Sequence, residues 1–312
     1  MEKKRLGALA VITILLAAFP GLNPEVYYLS FMFSVFMYVV LASSWNFIGG
    51  YAGYLSFGHA AFFGIGAFAT AKMAELFALT PPLAIFASLP AAALAALVAL
   101  VIGYPCLKIR GPYFAVVTLC FAFVVDLAVK NIEWLGGAEG LWMKTMDIPE
   151  QLSRTIMYEL MLLLMAITLT VAWWLGRSRL GAGLRAVRAD EEVAETMAIP
   201  TARLKIQAFV LSAFFPGIAG GLFAYYLTYI HPDVVFNINI SILIVLMAMF
   251  GGGGTWLGPI IGAVLLTVVN EGLSTFAQAE IARIIYGALF IVVTIFMPNG
   301  IIDFFRKKNG RG

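Results

Sequence analysis

The chain has 312 residues, 62% of them hydrophobic and 12% charged, with a formal net charge of +3 and a mean hydropathy of +0.94. Soluble domains carry about 25% charged residues. Half that density over this length excludes a water-soluble globule and predicts a polytopic membrane protein. Cys106 and Cys120 lack CxxC spacing, which argues against a disulfide framework or zinc site and reads as two small buried thiols.

A spanning helix needs about 20 mostly apolar residues. On that rule, spans fall near 6–23, 26–48, 52–74, 82–104, 112–130, 156–175, 205–229, 238–250, 256–274 and 282–298. The fold expected is all-α, with about ten transmembrane helices in one domain over 1–312. The first segment, "MEKKRLGALAVITILLAAFPGLNP", resembles a signal peptide, but Pro20 stands where a small cleavage residue belongs, so it reads as an uncleaved span. The eighth, 238–250, is short for a full crossing.

Lys and Arg near span ends stay in the cytoplasm. Lys3, Lys4 and Arg5 place the N-terminus there. Alternation brings Lys108, Arg110, the 176–205 loop and the tail with Arg306, Lys307, Lys308 and Arg311 to the same side. The outside loops are 23–25, 131–155, 231–237 and the turn near Gln278 to Glu280, all poor in basic residues. Both termini are therefore expected in the cytoplasm.

The stretch "GGYAGYLSFGHAAFFGIGAF" at 49–68 holds six glycines where a span begins. Each glycine costs a helix interior roughly 1 kcal/mol against alanine. One reading is close helix packing through Gly53, Gly58 and Gly64, with Gly49-x₃-Gly53 and Ala60-x₃-Gly64 as small-residue pairs. The other is a span opened or bent beside a solute pathway that Ser56 and His59 line. Gly251, Gly252 and Gly253 begin a second glycine-rich span from the same side, a hint of an internal parallel repeat.

The 176–205 loop, "GRSRLGAGLRAVRADEEVAETMAIPTARLK", holds ten charged residues in thirty. Asp190 can cap a helix whose first turn carries Glu191 and Glu192, and Pro200 ends it. Val193, Ala194, Met197 and Ala198 share one side, with Glu191, Glu192 and Glu195 around it. This is either a solvated connection, an interfacial helix, or a helix that docks into a groove on another protein. Acids on its polar face disfavour the lipid interface.

The segment 178–227, from "SRLGAGLRAVRADEEVAETMAIP" to "GGLFAYYL", resembles LivM-type permeases, the membrane subunits of branched-chain amino acid ABC importers. The 49–68 stretch, "GPYFAVVTLCFAF" at 111–123, "LGGAEGL" at 135–141, "FGGGGTWLGPIIGAVLL" at 250–266 and "MPNG" at 297–300 match in order. The resemblance implies a single permease domain whose 176–205 loop couples to ATPase subunits. The coupling helix would be 190–200, flanked by Arg185 and Arg188, with Asp190, Glu191, Glu192, Val193, Glu195, Met197 and Pro200 at the contact. It also implies a second homologous permease, two ATPase subunits, an extracytoplasmic solute-binding protein and an inner-membrane bilayer, with no nucleic acid, metal or cofactor. The chain departs from the family at Ala198, where a glycine is usual. It also departs at Phe123 and Asp126, for a glutamate and an arginine, and at Ala138 and Glu139, for a Pro-Asn or Pro-Asp pair.

Catalytic patterns such as HExxH, GxSxG and the P-loop do not occur, and "GGGGTWLG" lacks the GK[ST] that holds phosphate. ATP binding thus falls to a partner. The alternatives are an ion-coupled carrier or channel, or an ABC permease for urea, amides, sugars or nucleosides. Carriers place ionisable groups near the membrane midplane, whereas here Lys72, Glu75, Asp126, Lys130, Glu159 and Glu271 lie near span ends and only His59 sits awkwardly, as a packing residue or a proton relay.

Overall fold

The computed structural model describes residues 2–144 and 147–276, with 285, 288, 300 and 301. Apart from 285 and 288, the expected span 282–298, the turn 278–280 and the basic tail lie outside the described residues. The helices are α1 (Glu2–Ala18), α2 (Val26–Ala52), α3 (His59–Leu76), α4 (Pro81–Phe86), α5 (Ser88–Cys106), α6 (Pro112–Asn131) and α7 (Glu150–Arg177). After them come α8 (Arg179–Ala189), α9 (Glu191–Thr196), α10 (Thr201–Leu227), α11 (Pro232–Val235), α12 (Ile238–Gly251) and α13 (Gly258–Phe276). The strands β1 (Leu141–Trp142) and β2 (Tyr229–Ile230) pair antiparallel, Leu141 against Ile230 and Trp142 against Tyr229.

Among the described residues six segments are long and apolar enough to cross a membrane: Val26–Ala52, Leu83–Cys106, Pro112–Asn131, Glu150–Arg177, Thr201–Leu227 and Pro232–Gly251. Shorter apolar helices occupy Val11–Leu22 and Gly258–Gly272, and α3 fills a further expected position. The eighth span is short as a helix, α12 having 14 residues. The apolar segment reaches 20 only with α11, a turn that Pro232 at N1 starts under the His231 cap, ahead of the non-helical 236–237.

The third span does not begin at 52. α2 runs on to Ala52 and stops at Gly53, whose φ of 79° is left-handed, and α3 starts only at His59. Glycine adopts that conformation at little steric cost. The intervening 53–58 backbone is not helical.

α10 is the central helix, packed against α2, α3, α5 and α7, while α12 and α13 pack on each other and on α2. Small residues permit the close approach. A Cβ on Gly66 in α3 would collide with the backbone of Gly217 in α10, and one on Gly220 with the backbone of Phe63. Gly251 and Gly262 serve the α12–α13 contact in the same way. With apolar lipid outside, such contacts replace the hydrophobic drive that holds soluble helices together. α6 buries only Phe114, Thr118, Ala122 and Val129, a single stripe. Cys120 lies off that stripe and is exposed, whereas Cys106 is buried, so only one of the thiols is the small core residue expected.

Candidate functional site

The charged loop folds as two short helices, each with a side-chain cap. Ser178 Oγ accepts from the Gly181 N–H at 3.1 Å, opening α8. Asp190 Oδ1 accepts from Glu192 and Val193 N–H at 2.9 and 3.0 Å, opening α9. Such caps satisfy donors that the first helical turn leaves unpaired.

α9 ends at Thr196, short of the expected 190–200. Ala198 sits at φ 58°, and the Ile199 N–H reaches back to the Ala194 carbonyl at 3.1 Å while the Ala198 N–H reaches Glu195 at 3.0 Å. This is a Schellman closure with alanine at the position that favours glycine. Pro200 therefore does not end α9; it precedes α10. Left-handed backbone costs a non-glycine residue roughly 1–2 kcal/mol, partly offset by the lower chain entropy of alanine. Ala198→Gly is expected to stabilise the α9–α10 turn by about 1 kcal/mol, read as slower hydrogen exchange across 194–200.

Of the three acids, Glu192 and Glu195 stay exposed, at 81% and 49% of their side chains, and only Glu191 leaves the expected rim. Glu191 turns inward, its side chain 12% exposed, and pairs with Lys205 Nζ of α10 at 2.6 Å. Lys205, 5% exposed at its side chain, also donates to the Leu107 carbonyl at 2.9 Å and the Tyr54 hydroxyl at 3.0 Å. Tyr54 in turn donates to Glu191. From the 107–111 turn, Arg110 reaches Glu192 at 2.9 Å and Glu191 and Glu195 at 3.8 Å. The negative face is thus clasped by this chain's own cations.

Burial alone pushes the Glu191 carboxyl up, but hydrogen bonds from Lys205 and Tyr54 and the charges of Lys205 and Arg110 outweigh it and hold the group below its ordinary 4.5. A depressed folded-state value gives stability that is complete above 4.5 and lost as pH falls through the lower folded value. The clasp is expected to survive acidification to pH 4.5 and open below it. Glu191→Ala at neutral pH leaves buried Lys205 without its counter-charge. It should loosen α9 by about 3 kcal/mol, the low end for breaking a buried pair because two oxygen acceptors remain. Protease sensitivity between Arg179 and Arg203 reads both effects.

The outward side of α9 carries an apolar pair beside the exposed Glu192 and Glu195. Val193 is 52% exposed and Met197 71%, while Ala194 is buried against the protein. The four residues expected on one face are therefore divided, Ala194 inward and Val193 and Met197 outward.

α8 is pinned to the span ends. Arg188 Nη1 donates to the Gly50 carbonyl at 2.5 Å and lies 3.4 Å from the Gly253 carbonyl. Its stem packs on Gly53, and a Cβ on Gly254 would crowd its guanidinium. Asn46 ties the same region together, donating to the Thr255 carbonyl and accepting from the Gly254 N–H, both at 2.8 Å. Gly252, at φ 123°, ends α12, and Gly253 faces Gly50. Arg185 donates instead to the Gly176 carbonyl at 3.0 Å, at the end of α7. Two glycine clusters about 200 residues apart thus meet under one arginine.

The break at 53–58 carries its own polar support. The N–H groups of Phe57, Gly58 and Ala60 donate to Thr118 of α6, Ser56 and Ser241 of α12 at 3.1, 3.3 and 3.0 Å. Ser56 and His59 are fully buried. Among the described residues neither ring nitrogen of His59 has a hydrogen-bond partner, and its ring meets Phe62 edge-on. Gly64 lies under the Phe236 ring, and Gly58 packs closely on Thr118, whose carbonyl oxygen would stand 3.3 Å from a Cβ there. Of the small-residue pairs, Gly64 does pack tightly, against the Phe236 ring, while Gly66, Gly217 and Gly220 pack on backbone; Gly53 meets the Arg188 stem, and Gly49 is covered by its own helix's Trp45.

Tyr54, Lys205 and Asn46 were not singled out as site residues by sequence reasoning. A lysine opening an apolar span was a legible signal, since burial demands a counter-charge. Asn46 was not legible, because its partners lie 208 and 209 residues away.

At the other end of the bundle, β1 and β2 join the 131–155 and 227–237 segments. Lys130 bridges them, 2.6 Å from Asp233 and 2.8 Å from Asp126. The Tyr229 hydroxyl donates to the Glu139 carbonyl at 2.6 Å. Among the described residues no group of three or more metal-ligating side chains comes together.

Stacked apolar helices with a charged hairpin locked across their ends define a multi-pass membrane protein. A family model described as branched-chain amino acid transport system / permease component matches residues 27–294, and the chain belongs to that family. It is 30% identical to the high-affinity branched-chain amino acid transport system permease protein LivM of Escherichia coli K12, over 88% of this chain and 70% of that protein. It is 29% identical to the LivH permease protein of Salmonella typhimurium LT2, over 45% of this chain and 44% of that one. A 28% match covers 36% of this chain and 35% of the autoinducer 2 import system permease protein LsrC of Photorhabdus luminescens. No solved structure matches.

Proposed function

We propose that this chain is one of two permease subunits of an ATP-driven importer of branched-chain amino acids or similar small polar solutes in the cell inner membrane. The observation that carries the reading is the α8–α9 hairpin. Arg188 fastens it to the ends of α2 and α12 through Gly50 and Gly253, and Glu191 fastens it to α10 through Lys205. Val193 and Met197 stay outward. A push on that apolar pair would reach three spans at once. Separate ATPase subunits would seat α9 in a groove, a helix-in-groove contact anchored by two apolar side chains, and ATP binding there would tilt the spans.

The charge rule gives the orientation, about ten spans with both termini in the cytoplasm and 176–205 as the coupling loop. Its support is segregation: Arg110, Arg188 and Gly253, all assigned to the cytoplasmic side, gather at one end, while the loops assigned outside pair through β1 and β2 at the other. An extracytoplasmic solute-binding protein would deliver solute at that ribbon end, with a second homologous permease alongside. Ser56 and His59, buried at the break before α3, are the pathway candidates of this conformation.

The test is reconstitution with candidate ATPases, partner permease and binding protein in proteoliposomes. Uptake of leucine, isoleucine or valine should require ATP and ignore ion gradients. Uptake that follows a proton or sodium gradient without ATP overturns the reading.

A further inference from the structure

At the ribbon end, between the start of α7 and the end of α10, lies a cavity of about 200 Å³ lined by Lys144, Ile148, Glu150, Arg154, Met157 and Tyr226 among others. Drug-sized ligands occupy roughly 300–1,000 Å³, so this one suits a smaller molecule. Its wall carries both signs of charge. Arg154 is held in place: its guanidinium stacks 4.4 Å from the Tyr226 ring centre, and Nη1 donates to the Tyr226 carbonyl at 3.3 Å. Glu150 stands one turn earlier on α7, its Oε1 3.6 Å from Arg154 Nε. Met157, one turn further in, is buried and apolar.

We infer that this cavity is an entry site for a small zwitterion with an apolar side chain, an α-amino acid, whose carboxylate binds Arg154 and whose ammonium binds Glu150. The Arg154–Glu150 pair is loose, with side chains 28% and 70% exposed. Exposed pairs of this kind contribute about 0–1 kcal/mol, so little is lost when a ligand intervenes. The ligand replaces it with two charge-assisted contacts, which are the strong kind. Lys144, with no ion pair among the described residues, also lines the cavity and adds positive charge to its wall. Ile148 and Met157 receive the aliphatic branch. A solute with one charge, or none, would leave Arg154 or Glu150 facing an empty partner position.

The inference rests on the permease reading for the side from which solute arrives, and its test separates the two. L-Leucine, isocaproate and isoamylamine are titrated onto the purified permease in lipid nanodiscs by calorimetry or saturation-transfer NMR. Arg154→Gln should weaken leucine and isocaproate about tenfold and leave isoamylamine unchanged. Glu150→Gln should weaken leucine and isoamylamine and spare isocaproate. Leucine binding unaltered in both variants, absent in the wild type, or lost together with both single-charge probes overturns the site. ATP-driven uptake by the complete importer is measured in parallel. Uptake with unaltered leucine binding in the variants sinks the cavity alone, whereas charge-selective binding without uptake upholds the cavity and sinks the permease reading.

Discussion

Replacing Gly66 by valine is expected to abolish recovery of folded protein. The new Cβ would fall on the carbonyl carbon, oxygen and Cα of Gly217, and backbone cannot rotate away as a flexible side chain does. α3 and α10 would have to separate along the most extensive helix contact among the described residues, undoing the reciprocal approach of Gly220 to Phe63. Overpacking a tight core costs about 1–3 kcal/mol and more where the obstacle is rigid. A loss above about 3 kcal/mol is a large share of the roughly 5–15 kcal/mol that holds a protein folded. Gly66→Ala should be intermediate. Gly272→Ala is the control, since among the described residues nothing lies within 4 Å of its Cβ position. Detergent-solubilised yield, monodispersity and Tm measure the series. A Gly66→Val protein with the wild-type Tm would show that α3 and α10 do not meet at this pair.

Met197→Asp and Val193→Asp, by contrast, should fold normally and fail in transport. Both side chains are outward, so a carboxylate at either position stays hydrated in the free permease. In a partner's groove the same carboxylate must lose water without a counter-charge, which costs several kcal/mol. Loss of 2–4 kcal/mol at such a contact weakens ATPase association by roughly thirty- to a thousandfold. ATP-driven uptake should fall to background in the reconstituted complex while span stability and nanodisc yield hold. Met197→Leu, apolar and of similar volume, should retain most activity. Normal uptake in the aspartate variants would remove α9 from the ATPase contact and return the 176–205 loop to a solvated connection.

Breaking the clasp beneath α9 differs from altering its outer face. Glu191 and Lys205 stabilise the hairpin's seat on α10, so their variants change stability and coupling together. Val193 and Met197 make no such inward contact, and their variants separate the two readouts.

The amino-acid sequence by itself determined a good deal here. Apolar composition and charge density made the chain a multi-pass membrane protein. Asp190 announced its capped helix, and motif order announced the family. These are local or compositional signals, readable without knowing which helix lies beside which. Only the tertiary structure decided that α3 starts at His59, that Gly66 and not Gly53 or Gly64 touches backbone, that Glu191 turns inward to Lys205, and that Arg188 binds two distant glycine clusters. The physical reason lies in the solvent. In water a polar face marks the outside of a helix, and the period of its apolar stripe reveals the inside. In lipid both faces are apolar, so the azimuth of each span is set by small residues meeting partners far along the chain, a relation that exists only once the helices are packed.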